Sequence, residues 1–323
     1  RARARATPCR SPAADASPTA DASLGAGVLA ADVRALDPLK VLAEEHGLDR
    51  FRVACDVSAR GVPTALVDAL AGQGGLLVEA LGGRVEMSVK SESLSMQAGA
   101  LVADMASDLH HVHVEGAMQD GAFVITKQNG LDARVGLGPV MNEKVVGRLV
   151  PMLVNLKKPE GSAPSILAVD AMSFPLDGNL RALDATVRID LGEVTYALLP
   201  GLEQVFGNAV ELKPTKLPAM TVPITKGVAS YKDLKLKLAG TECAFSGSFD
   251  LVDLSMKLDT GVPLKLLGKK VSKELDKVRE YVSPDLVVPI ELRGAWNKPK
   301  IGIGDGFVEK LVEDAAKKGL GGL

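Results

Sequence analysis

A chain of 323 residues with 46% apolar content is long enough for one large β-rich domain or two ordinary ones with a real core. Its 38 Lys and Arg against 40 Asp and Glu leave a formal charge of -2, which excludes the basic footprint that a phosphate backbone requires, so no nucleic-acid partner is expected. Three widely spaced cysteines, Cys9, Cys55 and Cys243, form neither a zinc ligand set nor a disulfide framework, and no apolar run approaches the roughly 18 residues that span a bilayer.

Residues 1-25 are mostly Ala, Arg, Pro and Ser with almost no apolar bulk, too little to offset the entropy of ordering, so a disordered leader is expected ahead of one domain over 26-323. The chain begins with Arg rather than Met, and an upstream targeting or anchoring segment is expected. "VSARGVPTALVDAL" then ends a strand at Pro63 and opens a helix near 63-81. Proline's fixed φ and missing N–H suit a first helical position, while the residue before it is held extended.

Period-two alternation follows at 84-90, where Val85, Met87 and Val89 oppose Glu86 and Ser88, and again at 93-98 and 111-118. The last of these carries the one cluster of ligand-like residues: His111, His113 and Glu115 share a face opposite Val112 and Val114. Same-face neighbours at that spacing permit zinc, but no second ligand cluster exists. The three residues therefore read as the solvated side of an amphipathic strand, and no metal is expected.

Pro139 opens a second helical pattern near 139-154 and Pro200 a third near 200-207, on either side of a strand at 185-191 with Val187, Ile189 and Leu191 on one face. Three strands are expected at 233-239, 244-251 and 253-259. Gly261-Val262-Pro263 echoes Gly61-Val62-Pro63, and the helix near 264-281 has an apolar stripe of Leu267, Val271, Leu275 and Val278 opposite four lysines. That basic amphipathic face suits an anionic membrane surface as well as a solvated one. A strand at 287-293 and a helix near 306-318 complete a mainly β chain with degenerate repeats and short helices inserted after strand groups.

Catalytic signatures are missing from the pattern. "GLGP" and "GIGDG" lack the full dinucleotide fingerprint, and "CAFSG" lacks the frame of a nucleophile elbow, so neither an enzyme nor a cofactor is expected.

The C-terminal stretch has Val288-Pro289, Ile290, Leu292, Gly294, Trp296, Asn297 and Pro299 followed by a short strand and a closing helix, and upstream a G-x-x-x-Y turn leads into "SGSFDL". Over about 180-323 this resembles AsmA-like proteins, relatives of TamB. The resemblance implies an elongated, curved antiparallel sheet whose apolar face forms a groove for phospholipid or another acyl lipid. It also implies a place on the periplasmic side of a bacterial cell envelope, in outer-membrane biogenesis, with a membrane anchor upstream and envelope protein partners. The groove candidates are Val187, Ile189, Leu234, Leu236, Leu238, Phe245, Phe249, Leu254, Met256, Leu258, Ile290 and Leu292. The competing class is a structural or interaction β-domain that binds no lipid, because both require the same alternation.

Overall fold

Alternating apolar and polar residues make strands that are half-buried, and such strands gain most by pairing side by side so that one face of the sheet becomes continuously apolar. A computed structural model describes residues 19–24, 27–36, 52–198, 213–238, 240–268, 283 and 285–320. Its strands are β1 (Thr19–Leu24), β2 (Gly27–Leu36), β3 (Arg52–Pro63), β4 (Arg84–Leu94), β5 (Ala98–Ala106), β6 (His111–Gln119), β7 (Ala122–Ile125), β8 (Leu131–Val135), β9 (Leu153–Lys157) and β10 (Ser165–Pro175). Beyond these come β11 (Asp184–Asp190), β12 (Glu193–Leu198), β13 (Thr215–Lys216), β14 (Met220–Thr225), β15 (Val228–Leu238), β16 (Thr241–Asp250), β17 (Ser255–Pro263), β18 (Val287–Ala295) and β19 (Lys300–Ile303). The helices are α1 (Thr64–Leu70), α2 (Leu76–Leu81), α3 and α4 (Phe307–Leu320), where α3 joins Pro139–Met141, a π turn at Asn142–Val146, and Gly147–Leu149.

Among the described residues one antiparallel sheet of 16 strands runs in the order β1 to β7, β10, β11, then β14 to β19, with β8 between β6 and β10. The mainly β expectation holds. β7 and β8 share one place in the sheet: β7 pairs with the far ends of β6 and β10, and β8 with their near ends. A second, small sheet of β13, β12 and β9 lies apart from it.

That small sheet and α3 form a covering layer. Val150, Met152, Leu153 and Leu156 from the segment after α3, with Leu191, Val194, Tyr196 and Leu217, are buried in one cluster with Val222, Leu236, Phe245, Leu258 and Leu292 of the large sheet. Two phenols tie the layers together. Tyr231 Oη donates to Leu149 O at 2.8 Å, and Tyr196 Oη donates to Lys237 O at 2.6 Å. Burial pushes the pKa of Tyr231 up, so it is a neutral donor throughout the working range.

The start of α3 is held from outside the helix. Pro139 has no N–H to satisfy, and the next donors, Val140 N and Met141 N, reach the Glu79 carboxylate of α2 at 2.6 and 3.3 Å. Gly138 permits this approach, since a Cβ there would sit 2.5 Å from that carboxylate. A capping residue 61 positions before the first donor thus replaces the missing local one.

Several expectations are corrected. Thr19–Leu24, inside the stretch expected to lack order, is β1, because its hairpin with β2 needs only backbone hydrogen bonds and not apolar bulk. The segment 93-98 is not one strand: Ser95 N donates to Ala98 O at 2.8 Å and turns the chain between β4 and β5. The echo of Gly-Val-Pro is not a structural one. Gly61 adopts φ 61 in a bulge that returns Val62 to the face of Ala59, whereas Gly261 sits in regular register opposite Pro289. The helix expected near 200-207 lies outside the described residues, as does most of the one near 264-281, of which Leu264–Leu266 forms a single 3-10 turn.

Leu236 is 1% exposed on the covered face. The substitution Leu236→Asp places an unpaired carboxylate between the layers and is expected to cost about 3–5 kcal/mol. Urea denaturation of the variant measures it. An unchanged midpoint would mean that the layers do not pack as described.

Candidate functional site

The register of the large sheet sets its side chains in rows. Ala31, Val57, Val89, Ala103, Val114, Leu131, Val169, Val187 and Val222 are consecutive cross-strand partners over nine strands, so all nine point to one face. Beside them run Ala59, Met87, Met105, Val112, Ala133, Leu167 and Ile189. The apolar face is therefore continuous from β3 to β11.

Its covering is not continuous. Val169, Val187 and Val222 are buried, but Ala31, Val57, Val89, Ala103, Val114 and Leu131 are only partly so. Val33 of β2, two residues along the strand from Ala31 and on the same face, is 43% exposed. At one end α1 and α2 close over Ala59, Val62 and Val85; the rest of the face on β2 to β6 has no second layer among the described residues. The result is an apolar face, open at β2 to β6, that runs into a covered core.

The groove candidates fall at the covered end. Val187, Ile189, Leu234, Leu236, Phe245, Phe249, Met256, Leu258, Ile290 and Leu292 share the apolar face of β11 and β15 to β18, and each is buried. Leu254 is half-buried in the turn before β17, and the side chain of Leu238 lies outside the described residues. The structure thus brings them together, but beneath α3 and the small sheet rather than on the open part of the face. The residues of the open stretch were not among the candidates. Their alternation is the same, and no local signal distinguishes a covered strand from an uncovered one.

The opposite face is polar and paired. His113 Nδ1 lies 2.6 Å from Asp104 Oδ1, and Glu115 Oε2 is 2.6 Å from Lys127 Nζ. The Lys127 hydrogen bond holds the Glu115 carboxyl below the usual carboxylate range. Asp170 accepts from both Arg188 and Asn129 N, which braces the break between β7 and β8. His111, His113 and Glu115 occupy this solvated side, and among the described residues no group of three His, Cys, Asp or Glu side chains is placed to hold a metal ion. No helix among the described residues is long and apolar enough to cross a membrane.

A second feature lies at the seam between the layers. A cavity of about 840 Å³ is bounded by Leu137 and Pro139, by Asn142 and Arg148 of α3, by Leu153, Leu156 and Lys157 of β9 and the adjoining Lys158, and by Phe249, Leu254 and Trp296 from the large sheet. Two groove candidates, Phe249 and Leu254, belong to it. Its floor is apolar and its rim carries Arg148, Lys157 and Lys158 against Glu143. Among the described residues, neither Arg148 nor Lys157 has an ion-pair partner for its side chain. Lys158 donates to Leu191 O at 2.7 Å, and burial lowers its pKa. The side-chain oxygen of Asn142, in the π turn, is buried and accepts no hydrogen bond among the described residues.

Comparison with family models, curated proteins and solved structures gives no match for this chain.

Val89→Asp sits in the open stretch, where its carboxylate stays hydrated. The variant is expected to remain folded and lose no more than about 1 kcal/mol. Thermal and urea melts beside Leu236→Asp check this. Equal, large losses in both variants would show that the face at β4 is covered.

Proposed function

We propose that this protein is a non-enzymatic binder of acyl lipids, holding chains on the apolar face of β2 to β8. The supporting observation is the partly exposed run of Ala31, Val57, Val89, Ala103, Val114 and Leu131 across six paired strands. Acyl chains are bound by area rather than by directed bonds, at about 0.8 kcal/mol per buried methylene. A flat aliphatic face meets that need without any catalytic group. Large exposed apolar patches on soluble proteins mark surfaces that something else covers.

The AsmA-like resemblance over about 180-323 extends the proposal to lipid transfer on the periplasmic side of a bacterial envelope, serving outer-membrane biogenesis. Anchoring by an upstream segment and contact of the basic stretch 264-281 with a membrane surface are parts of the same proposal. A second reading, a structural or interaction β-domain that binds no lipid, is favoured by one observation. The candidate residues on β15 to β18 are filled by protein, with Phe245 and Leu258 at 0% exposure, so that half of the sheet needs no ligand.

Solvent extraction of the purified protein followed by lipid mass spectrometry separates the two. Acyl lipid is expected with the parent protein, and a loss of most of it is expected in the folded Val89→Asp variant. A folded parent protein that yields no acyl lipid supports the structural domain instead.

A further inference from the structure

The cavity between the covering layer and the large sheet differs in chemistry from the open face. That face is aliphatic, with no cation in its two rows. The cavity has depth: Leu153, Leu156 and Phe249 at its floor are buried, and Leu137, Leu254 and Trp296 are half-buried around its sides. Its rim has three cations against one carboxylate, and the side chains of Arg148 and Lys157 are exposed. A volume of about 840 Å³ lies within the range of small-ligand pockets, which admits one acyl chain and its head rather than a two-chain phospholipid.

We infer that this cavity is a binding site for a single-chain amphiphile with an anionic head group. The chain lies against Leu153, Leu156, Phe249 and Trp296, and the head meets Arg148 and Lys157 at the rim. The inference rests on the acyl-binding reading but places a distinct site at the covered end of the molecule. Two features carry it. An apolar floor supplies affinity in proportion to the methylenes it removes from water. Two cations without an ion-pair partner among the described residues supply ion-paired hydrogen bonds that an alkane or alcohol does not form.

Trp296 is the one tryptophan of the chain, so its fluorescence reports this cavity alone. Titration of the full chain with 9,10-dibromostearate, whose bromines quench only at contact, is expected to give saturable quenching. The corresponding dibromo alcohol is expected to bind about tenfold more weakly, as is the bromostearate when the protein carries Arg148→Gln and Lys157→Gln together. Both residues are exposed, so the double variant keeps its fold, which its melting curve verifies. Equal affinity for acid and alcohol, unchanged in the double variant, would overturn the anionic head group. An absence of quenching would overturn the site. If acyl lipid still extracts from that same preparation, the open-face reading survives on its own; if none extracts, both fall.

Discussion

An antiparallel ladder leaves a strand no freedom to choose which face its side chains take. Once β3 pairs with β4 in the register that sets Val57 opposite Val89, every second residue of both strands is committed to one side, and each further strand inherits the choice. In this molecule the inheritance passes from Ala31 to Val222 without a slip, because the bulges at Gly61 and between Val169 and Ala171 absorb the local irregularities. The consequence is an apolar face far longer than any one core. Such a face must be covered by protein or by something else, since its exposure to water is unfavourable in proportion to its area.

The chain covers the part from β11 to β18 with its own material. α3 and the small sheet arrive between β8 and β14, so they fold back onto strands that come before and after them in sequence. Few polar contacts hold this layer. Glu79 satisfies the first donors of α3, Tyr231 satisfies a carbonyl at its last turn, and Tyr196 reaches the backbone of β15. Each is a hydrogen bond between elements that are distant in sequence, and each leaves a buried or half-buried polar group unpaired when broken. The remainder of the layer is held by packing of aliphatic side chains, which fixes contact without fixing direction.

The contrast between the two halves organises the functional reading. At β15 to β18 the large sheet is a conventional core, sealed by Phe245, Phe249 and the leucines opposite the covering layer. At β2 to β6 the same face is open among the described residues, and at the seam the layers part to leave the cavity beside Trp296. An open face and a core therefore follow one another along a single surface, with the cavity at the edge of the core. On the proposed reading an acyl ligand meets the open face and the cavity, where protein side chains do not already supply the contacts, and the core supplies stability.

The period-two segments determined that the chain is mainly β, because alternation needs only neighbouring residues: Val85, Met87 and Val89 on one side, or Leu254, Met256 and Leu258, are legible without knowing their partners. Prolines marked strand-to-helix punctuation at Pro63 and Pro139 for the same local reason. The common face of Val187, Ile189, Leu236, Met256 and Leu292 was also legible, since like alternation in consecutive strands stacks like rows. What the sequence did not carry is which part of that face is open. Leu236 and Val89 have the same kind of neighbours in sequence and opposite fates in space. That difference depends on where a segment some 80 residues from one and 60 from the other comes to rest. The cavity was hidden for the same reason: Arg148, Leu156, Phe249 and Trp296 show no shared spacing, and only the meeting of the two layers places them around one volume.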